Sequence, residues 1–311
     1  MSRLNVFVWG ISMMILTNCA SQTAQNSSEE ILLETRGWKI NPLEEGLTHY
    51  ELPFHYLDEF KSYQNVNVLA VDLKKGNHKI HFYNLEVADS VSSIGHQTPG
   101  AIAAINGTYY EKRANSGNST SFSKSNGVLI DSVEAKPGTL YYWKHEGAFY
   151  MDGNTPGIIR GGNSEYKSLK AENIMSGSPL LIENYHLSGT HFARNIVDDI
   201  TKLEYEYPDR HQGVRHPRTA IAILPHDIVL FVTVDGRNPK AEGMSAKELT
   251  LFLKKYFNPK DALNMDGGGS TTFWLKETDR SETGVINYPT DNKKSDHYGQ
   301  RRVRNGFIIT N

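Results

Sequence analysis

The sequence predicts an α+β fold, a single domain built on a large, mostly antiparallel β-sheet with a few helices. Three observations carry this. Many short segments alternate apolar and polar residues at period two, only one segment has clear helical periodicity, and no strong linker divides the chain. At 311 residues the chain is about twice the usual domain size, a length that β-rich single domains reach.

The first 18 residues read as a signal peptide. Arg3 supplies positive charge, and Leu4 to Leu16 is mostly apolar. That run is shorter than the roughly 20 residues that span a bilayer. It ends in Leu16-Thr17-Asn18-Cys19, which is similar to a lipobox, although Asn18 stands where a small residue is usual. Cys19 is the only cysteine, so no intramolecular disulfide can form. Acylation of Cys19 would anchor the chain in a membrane. Residues 19–30, rich in Ser, Gln, Asn and Glu, read as a lipidated flexible tether. The expected location is the bacterial cell envelope, lipid-anchored.

Residues 31–64 read as an irregular lead-in to a domain spanning 65–311. Asn65–Leu73 and His78–Asn84 alternate at period two, and Gly76-Asn77 between them predicts a hairpin. Further strands are expected at Ala101–Ile105, Gly127–Asp131, Leu140–Trp143, Ala148–Met151, Pro179–Ile182 and Thr219–Leu224. Ile228–Val234, Ala262–Met265, Thr271–Leu275 and Val303–Thr310 complete the set. The helix is Ala246–Tyr256: Ser245 and Glu248 form a capping box, Leu249, Phe252, Leu253 and Tyr256 share a face, and Asn258-Pro259 stops it. The Gly- and Ser-rich segment Asn115–Asn126 reads as a loop or flap over a site.

Net charge is −2 with the signs well mixed, which argues against a nucleic-acid partner. The 12 histidines include no H-E-x-x-H, H-x-H or Cys/His spacing, so no metal and no cofactor is expected. A serine nucleophile is disfavoured because G-x-S-x-G is missing.

The sharpest motif is Asn264-Met265-Asp266-Gly267-Gly268-Gly269-Ser270-Thr271-Thr272, between two short strands. Three glycines permit close approach of a ligand, and their amides can form an anion-binding nest with Asp266 at its mouth. The Gly-Lys-Ser/Thr ending of a nucleotide P-loop is lacking. Val234-Asp235-Gly236-Arg237 ends another strand, Arg218-Thr219 opens one, and Ala104-Ile105-Asn106-Gly107 precedes Tyr109 and Tyr110. Arg301 begins the final element. Singly, Asp-Gly and Asn-Gly are common turn dipeptides, and each arginine could be a solvated surface charge.

Taken in order, these pieces resemble the phosphodiester glycosidase family. The resemblance runs from about Asn65 to Thr310, through A-I-N-G-x-Y-Y, S-G-x-P-L-L at Ser176–Leu181, P-R-T-A-I at Pro217–Ile221 and V-D-G-R. It continues through G-M-S-x-x-E-L, N-x-D-G-G-G-S, Tyr288–Asp291 and a closing R-x-V. Thr108, where a small residue is common, and Gly306 in the last strand depart mildly from the pattern.

The resemblance implies a hydrolase that cleaves the bond between a sugar C1 and a phosphodiester oxygen, releasing the sugar, N-acetylglucosamine in the mammalian case. The substrate would be a sugar-phosphodiester or phosphoglycan. Its phosphomonoester leaving group has a second pKa near 6, so it departs with little protonation. The reaction needs a phosphate clamp, for which Arg218, Arg237 and Arg301 are candidates. Asp266 and Asp235, which an anionic diester repels, would face the sugar as the catalytic pair, with Asp266 favoured. Asn106, Gly107, Thr219, Gly267, Gly268, Gly269 and Ser270 would line the substrate site. Tyr109, Tyr110, Trp143 and Trp274 are sugar-stacking candidates, with the core as their alternative. Competing functions are a non-catalytic glycan-binding lipoprotein, a phosphodiesterase attacking phosphorus, and a transferase.

If Cys19 carries the anchor, Cys19→Ala should move the protein into the soluble fraction. Retention on membranes after detergent-free washing would refute the anchor.

Overall fold

The structure, a computed structural model, describes residues 33–34, 36–110, 120–190 and 199–311. The expected signal peptide, Cys19 and the expected tether lie outside the described residues, as do residues 115–119 of the Gly- and Ser-rich segment.

Three sheets form the body, and every strand pair in them is antiparallel. An eight-stranded sheet runs Lys39–Glu44, Leu47–Leu57, Ser62–Asp72, Ile228–Val234, Arg218–Leu224, Asp261–Asn264, Leu180–Glu183, His186–Leu187. A four-stranded sheet runs Phe273–Leu275, Ala101–Asn106, Arg302–Thr310, Lys79–Ser90. A five-stranded sheet runs Val128–Asp131, Ser123–Ser125, Asn173–Gly177, Gly147–Asp152, Thr155–Arg160.

Alternation decides which side each side chain takes. Leu69, Val71, Val229, Phe231, Ile221 and Ile223 leave one face of the large sheet, and Val66, Val68, Leu230, Val232, Ala220 and Ala222 leave the other. The first face meets Phe82, Ile105, Phe273, Phe307 and Ile309 of the four-stranded sheet, with Phe149 and Met175 of the five-stranded one. Phe307 sits among three rings: Phe82 at 4.9 Å, Phe231 at 5.5 Å and Phe149 at 5.8 Å. The second face is covered by Leu249, Phe252 and Leu253 of the helix Ala246–Tyr256. That helix starts as expected: Ser245 Oγ accepts from the Glu248 amide, and Glu248 Oε2 accepts from the Ser245 amide.

Four expectations are corrected. The lead-in contains two strands, Lys39–Glu44 and Leu47–Leu57, paired with each other and with Ser62–Asp72. Its alternation was masked because inward positions hold polar residues: His49 is hydrogen-bonded to Asn67, and Glu51 is ion-paired with Arg280. Gly76-Asn77 joins no hairpin, since the flanking strands lie in different sheets. The turn is a corner held by His78 Nε2 on the Glu45 carbonyl at 2.8 Å. Leu140–Trp143 is no strand; Tyr142–His145 is a short 3-10 turn whose aromatic run mimicked strand propensity. Thr120–Ser123 is buried, and Ser123–Ser125 pairs with Asn173–Gly177, so residues 123–125 of the expected flap are sheet.

Phe307→Ala should cost about 3–5 kcal/mol by leaving a cavity among three rings. Urea denaturation checks it: the midpoint should fall with the slope unchanged.

Candidate active site

The site forms where the large and four-stranded sheets meet. Ala101–Asn106 ends beside Arg218–Leu224 and the loop that leaves Asp261–Asn264. The Asn106 amide joins all three: its Nδ2 donates to the Asp266 carbonyl at 2.8 Å, while its Oδ1 accepts from Thr219 Oγ1 at 2.8 Å and the Thr272 amide at 3.1 Å. The Asp266 amide donates to the Gly107 carbonyl, and the Met265 amide to the Thr219 carbonyl. Asn106, Gly107 and Thr219, read as substrate-binding, therefore hold the loop from behind and do not line the cavity. A Cβ on Gly107 would stand 2.6 Å from Asn305 Oδ1 and from Met175 Sδ, which is why glycine is needed there.

Asp266 lies on the cavity floor, hemmed in by protein yet open to the space above it. Burial raises the pKa of its carboxyl group; the Ser270 hydroxyl, Lys144, Arg301 and the Gly267 amide pull it the other way. Gly267, Gly268 and Gly269 line the cavity as expected, while several amides of the loop are bonded within the protein. The Gly268 amide donates to the Pro217 carbonyl, and those of Ser270 and Thr271 close a 3-10 turn. The glycines also make room. The Arg237 guanidinium lies 3.1 Å from where a Gly268 Cβ would be, and Arg301 with its partner Asp291 crowds the same point on Gly269. Gly268 also has φ +61°, which favours glycine. Ser270 is buried beneath the loop.

The three arginines part company. Arg237 Nη2 donates to Tyr205 Oη at 2.9 Å and to His216 Nδ1 at 3.3 Å at the cavity edge. Arg301 lines the cavity and is held by Asp291 at 2.6 Å. Arg218 is buried, and its N–H groups go to the carbonyls of Met244, His211 and Val214 and to Gln212 Oε1. That leaves at most one N–H for a ligand, because guanidinium has five. Its main work is to fix the segment 211–216. Burial lowers its pKa to about 10, still charged at neutral pH.

Asp235 is not among the residues lining the cavity. It is buried, accepting from Asn65 Nδ2 at 2.6 Å, Asn287 Nδ2 at 2.9 Å and the Tyr288 amide at 3.1 Å. Burial raises its pKa, and those donors oppose the rise. It ties a strand end to Asn287–Tyr288, and the structure does not bring it into the cavity beside Asp266, where the sequence reading pairs the two. The second carboxylate on the cavity wall is Glu206, ion-paired with Lys144 at 2.7 Å.

Lys144, Glu206, Tyr205, His211 and His216 were not found from sequence. They sit on short or irregular segments, His211 in the six-residue helix Pro208–Gly213 and Lys144 in the 3-10 turn, with no periodicity or motif to mark them. His216 next to P-R-T was the one available hint. Burial, then Arg218 and Arg237, lowers the His216 pKa to about 3; burial and Arg218 likewise hold His211 well below its usual value. Both rings are neutral at physiological pH. Of the stacking candidates, Tyr110 lines the cavity and Tyr109 does so while buried, donating to the Ser178 carbonyl at 3.0 Å. Burial pushes the Tyr110 phenol up to about 12. Trp143 is half-buried behind Lys144, and Trp274 is core. Among the described residues no cluster of His, Cys, Asp or Glu could hold a metal ion.

Residues 99–310 match the family profile described as phosphodiester glycosidase. Solved structures share the fold. The zebrafish N-acetylglucosamine-1-phosphodiester alpha-N-acetylglucosaminidase catalytic domain, auto-inhibited by its pro-peptide, has a TM-score of 0.59 at 16% identity over 86% of this chain and 83% of that one. A hypothetical protein from Synechocystis has a TM-score of 0.54 at 13% identity, over 88% and 68%. An exported protein from Burkholderia pseudomallei has 0.55 at 14%, over 81% and 74%. Comparison with curated proteins finds no match.

Asp235→Asn should destabilise the protein by about 1–3 kcal/mol, because an amide cannot accept from all three donors. Denaturation measures this, and the folded variant should keep turnover. Abolished turnover at unchanged stability would restore Asp235 to catalysis.

Proposed function

Since the chain belongs to the phosphodiester glycosidase family, we propose that it hydrolyses the C1–O bond of a sugar-1-phosphodiester with Asp266 as the catalytic carboxylate. The observation that carries this is a cavity in which Asp266 and the glycine loop face Arg237 and Arg301, the other wall carboxylate, Glu206, being paired with Lys144. The name of the zebrafish relative makes an N-acetylglucosamine-1-phosphodiester the first substrate to try. Anchoring through Cys19 would bring the enzyme to envelope phosphoglycans.

The phosphate docks against Arg237 and Arg301, whose forks bind its oxygens. Asp266 repels that anion and so meets the sugar. Water attacks C1 through its oxygen, and its proton passes to the ionised Asp266. The C1–O bond breaks with its electron pair leaving on the phosphomonoester, whose low second pKa makes strong protonation unnecessary. Positive charge developing at C1 is stabilised by the Asp266 carboxylate.

Asp266→Asn should lower kcat by roughly a hundredfold or more with KM little changed, because the lost interaction belongs to the transition state. Arg237→Ala should raise KM as well as lower kcat, with a smaller loss on an uncharged aryl glycoside. In native enzyme the acid limb of kcat should lie above the usual carboxylate range near 4, since the ionised form is required and the Asp266 pKa is raised. Turnover in oxygen-labelled water should put the label in the sugar. Label in the phosphomonoester means attack at phosphorus.

A further inference from the structure

Two histidines line the cavity, and an arginine fixes the proton of each. Guanidinium offers only donors, so an imidazole nitrogen that meets it must accept, and the proton lies on the other nitrogen. Arg237 Nη2 donates to His216 Nδ1 at 3.3 Å, which leaves the His216 proton on Nε2. His211 is set through a relay. Arg218 Nη1 donates to Gln212 Oε1 at 3.0 Å, so the same side chain turns its NH2 group to His211 Nδ1 at 3.3 Å. The His211 proton therefore also lies on Nε2. The backbone of His216 is held by bonds to Met244 in both directions.

His216 Nε2 is buried and has no hydrogen-bond partner among the described residues. An N–H kept from water without an acceptor is costly, so such a group on a cavity wall is matched to an acceptor that the ligand brings. The ring is bonded to Arg237, which places it at the phosphate end of the cavity. We propose that His216 donates its Nε2–H to the oxygen that leaves C1, as an uncharged donor that keeps its proton throughout the reaction. This rests on the phosphodiester reading of the cavity. Breaking the C1–O bond leaves its electron pair on that oxygen, and a hydrogen bond to the oxygen strengthens as its charge grows. The contact therefore favours the transition state over the bound substrate. Burial, with Arg218 and Arg237 close by, keeps the ring neutral down to about pH 3. A neutral imidazole polarises the oxygen without protonating it, and a phosphomonoester with a second pKa near 6 needs no more. A protonated ring would add a further cation beside Arg218 and Arg237 and hold the dianionic product back.

Two diesters of one sugar-1-phosphate, methyl and trifluoroethyl, differ in how readily the phosphomonoester departs. His216→Phe should lower kcat on the methyl diester by roughly ten- to a hundredfold, with KM changed less. The loss should be smaller on the trifluoroethyl diester, whose leaving oxygen holds negative charge more easily. His216→Gln, whose amide can accept from Arg237 and donate onward, should recover most of the rate. Equal losses on both diesters mean a structural role and overturn the assignment. An alkaline limb in the native kcat profile that His216→Gln removes means a general acid, and overturns it too. Labelled histidine ring nitrogens in the native protein give a second measurement, the His216 signals being those missing from His216→Gln. Nδ1 should be unprotonated and Nε2 protonated across the neutral range. A proton on Nδ1, or a ring that titrates near 6.5, refutes the assignment even if His216→Phe does not fold. A native enzyme that cleaves neither diester removes the hydrolytic reading and the assignment together, whereas cleavage of both with equal losses removes the assignment alone.

Discussion

The site depends on one buried amide. Asn106, at the end of a strand in the four-stranded sheet, donates to the carbonyl of Asp266 and accepts from Thr219 in the eight-stranded sheet and from the Thr272 amide. With almost no exposed surface, it would face a steep desolvation cost if any of these partners moved away. The carboxylate therefore sits on a backbone pinned from two sheets at once. Packing of those sheets through Phe231 and Phe307 is what brings the pins together.

Around that fixed point, charge is arranged by backbone geometry. Gly268 and Gly269 are small so that Arg237 and Arg301 can lie against the main chain beside Asp266. Each cation on the wall is also held by a neighbour: Lys144 by Glu206, Arg301 by Asp291, Arg237 by Tyr205. Little reorganisation is then needed when an anion arrives, which is the condition under which fixed charges stabilise a reacting centre most effectively. The neutral histidines add shape and hydrogen-bonding capacity without adding charge.

Two buried charged residues of the sharp motifs are heavily hydrogen-bonded within the protein. Arg218 spends its guanidinium on carbonyls of the segment that carries His211 and His216. Asp235 is spent on Asn65, Asn287 and Tyr288, just ahead of Asp291, which holds Arg301. Asp235 stands behind the wall, while Arg218 reaches the cavity with most of its N–H groups already committed, and both orient what faces the ligand.

The sequence by itself determined the α+β class, most of the central strands, the capped helix, the family and the Asp266 loop. Each of these is a local pattern: alternation, a capping box, or a run such as N-x-D-G-G-G-S. Leu47–Leu57 escaped because its inward positions hold His49 and Glu51, whose burial is made possible by Asn67 and Arg280, far along the chain. Lys144 and Glu206 escaped for the same reason: they meet at 2.7 Å although 62 positions apart in the chain, on segments with no period of their own. Only the tertiary structure could decide that Glu206, and not Asp235, shares the cavity with Asp266. Which side chains face a common space depends on how sheets pack, and packing is a sum of long-range contacts that no local run of residues records.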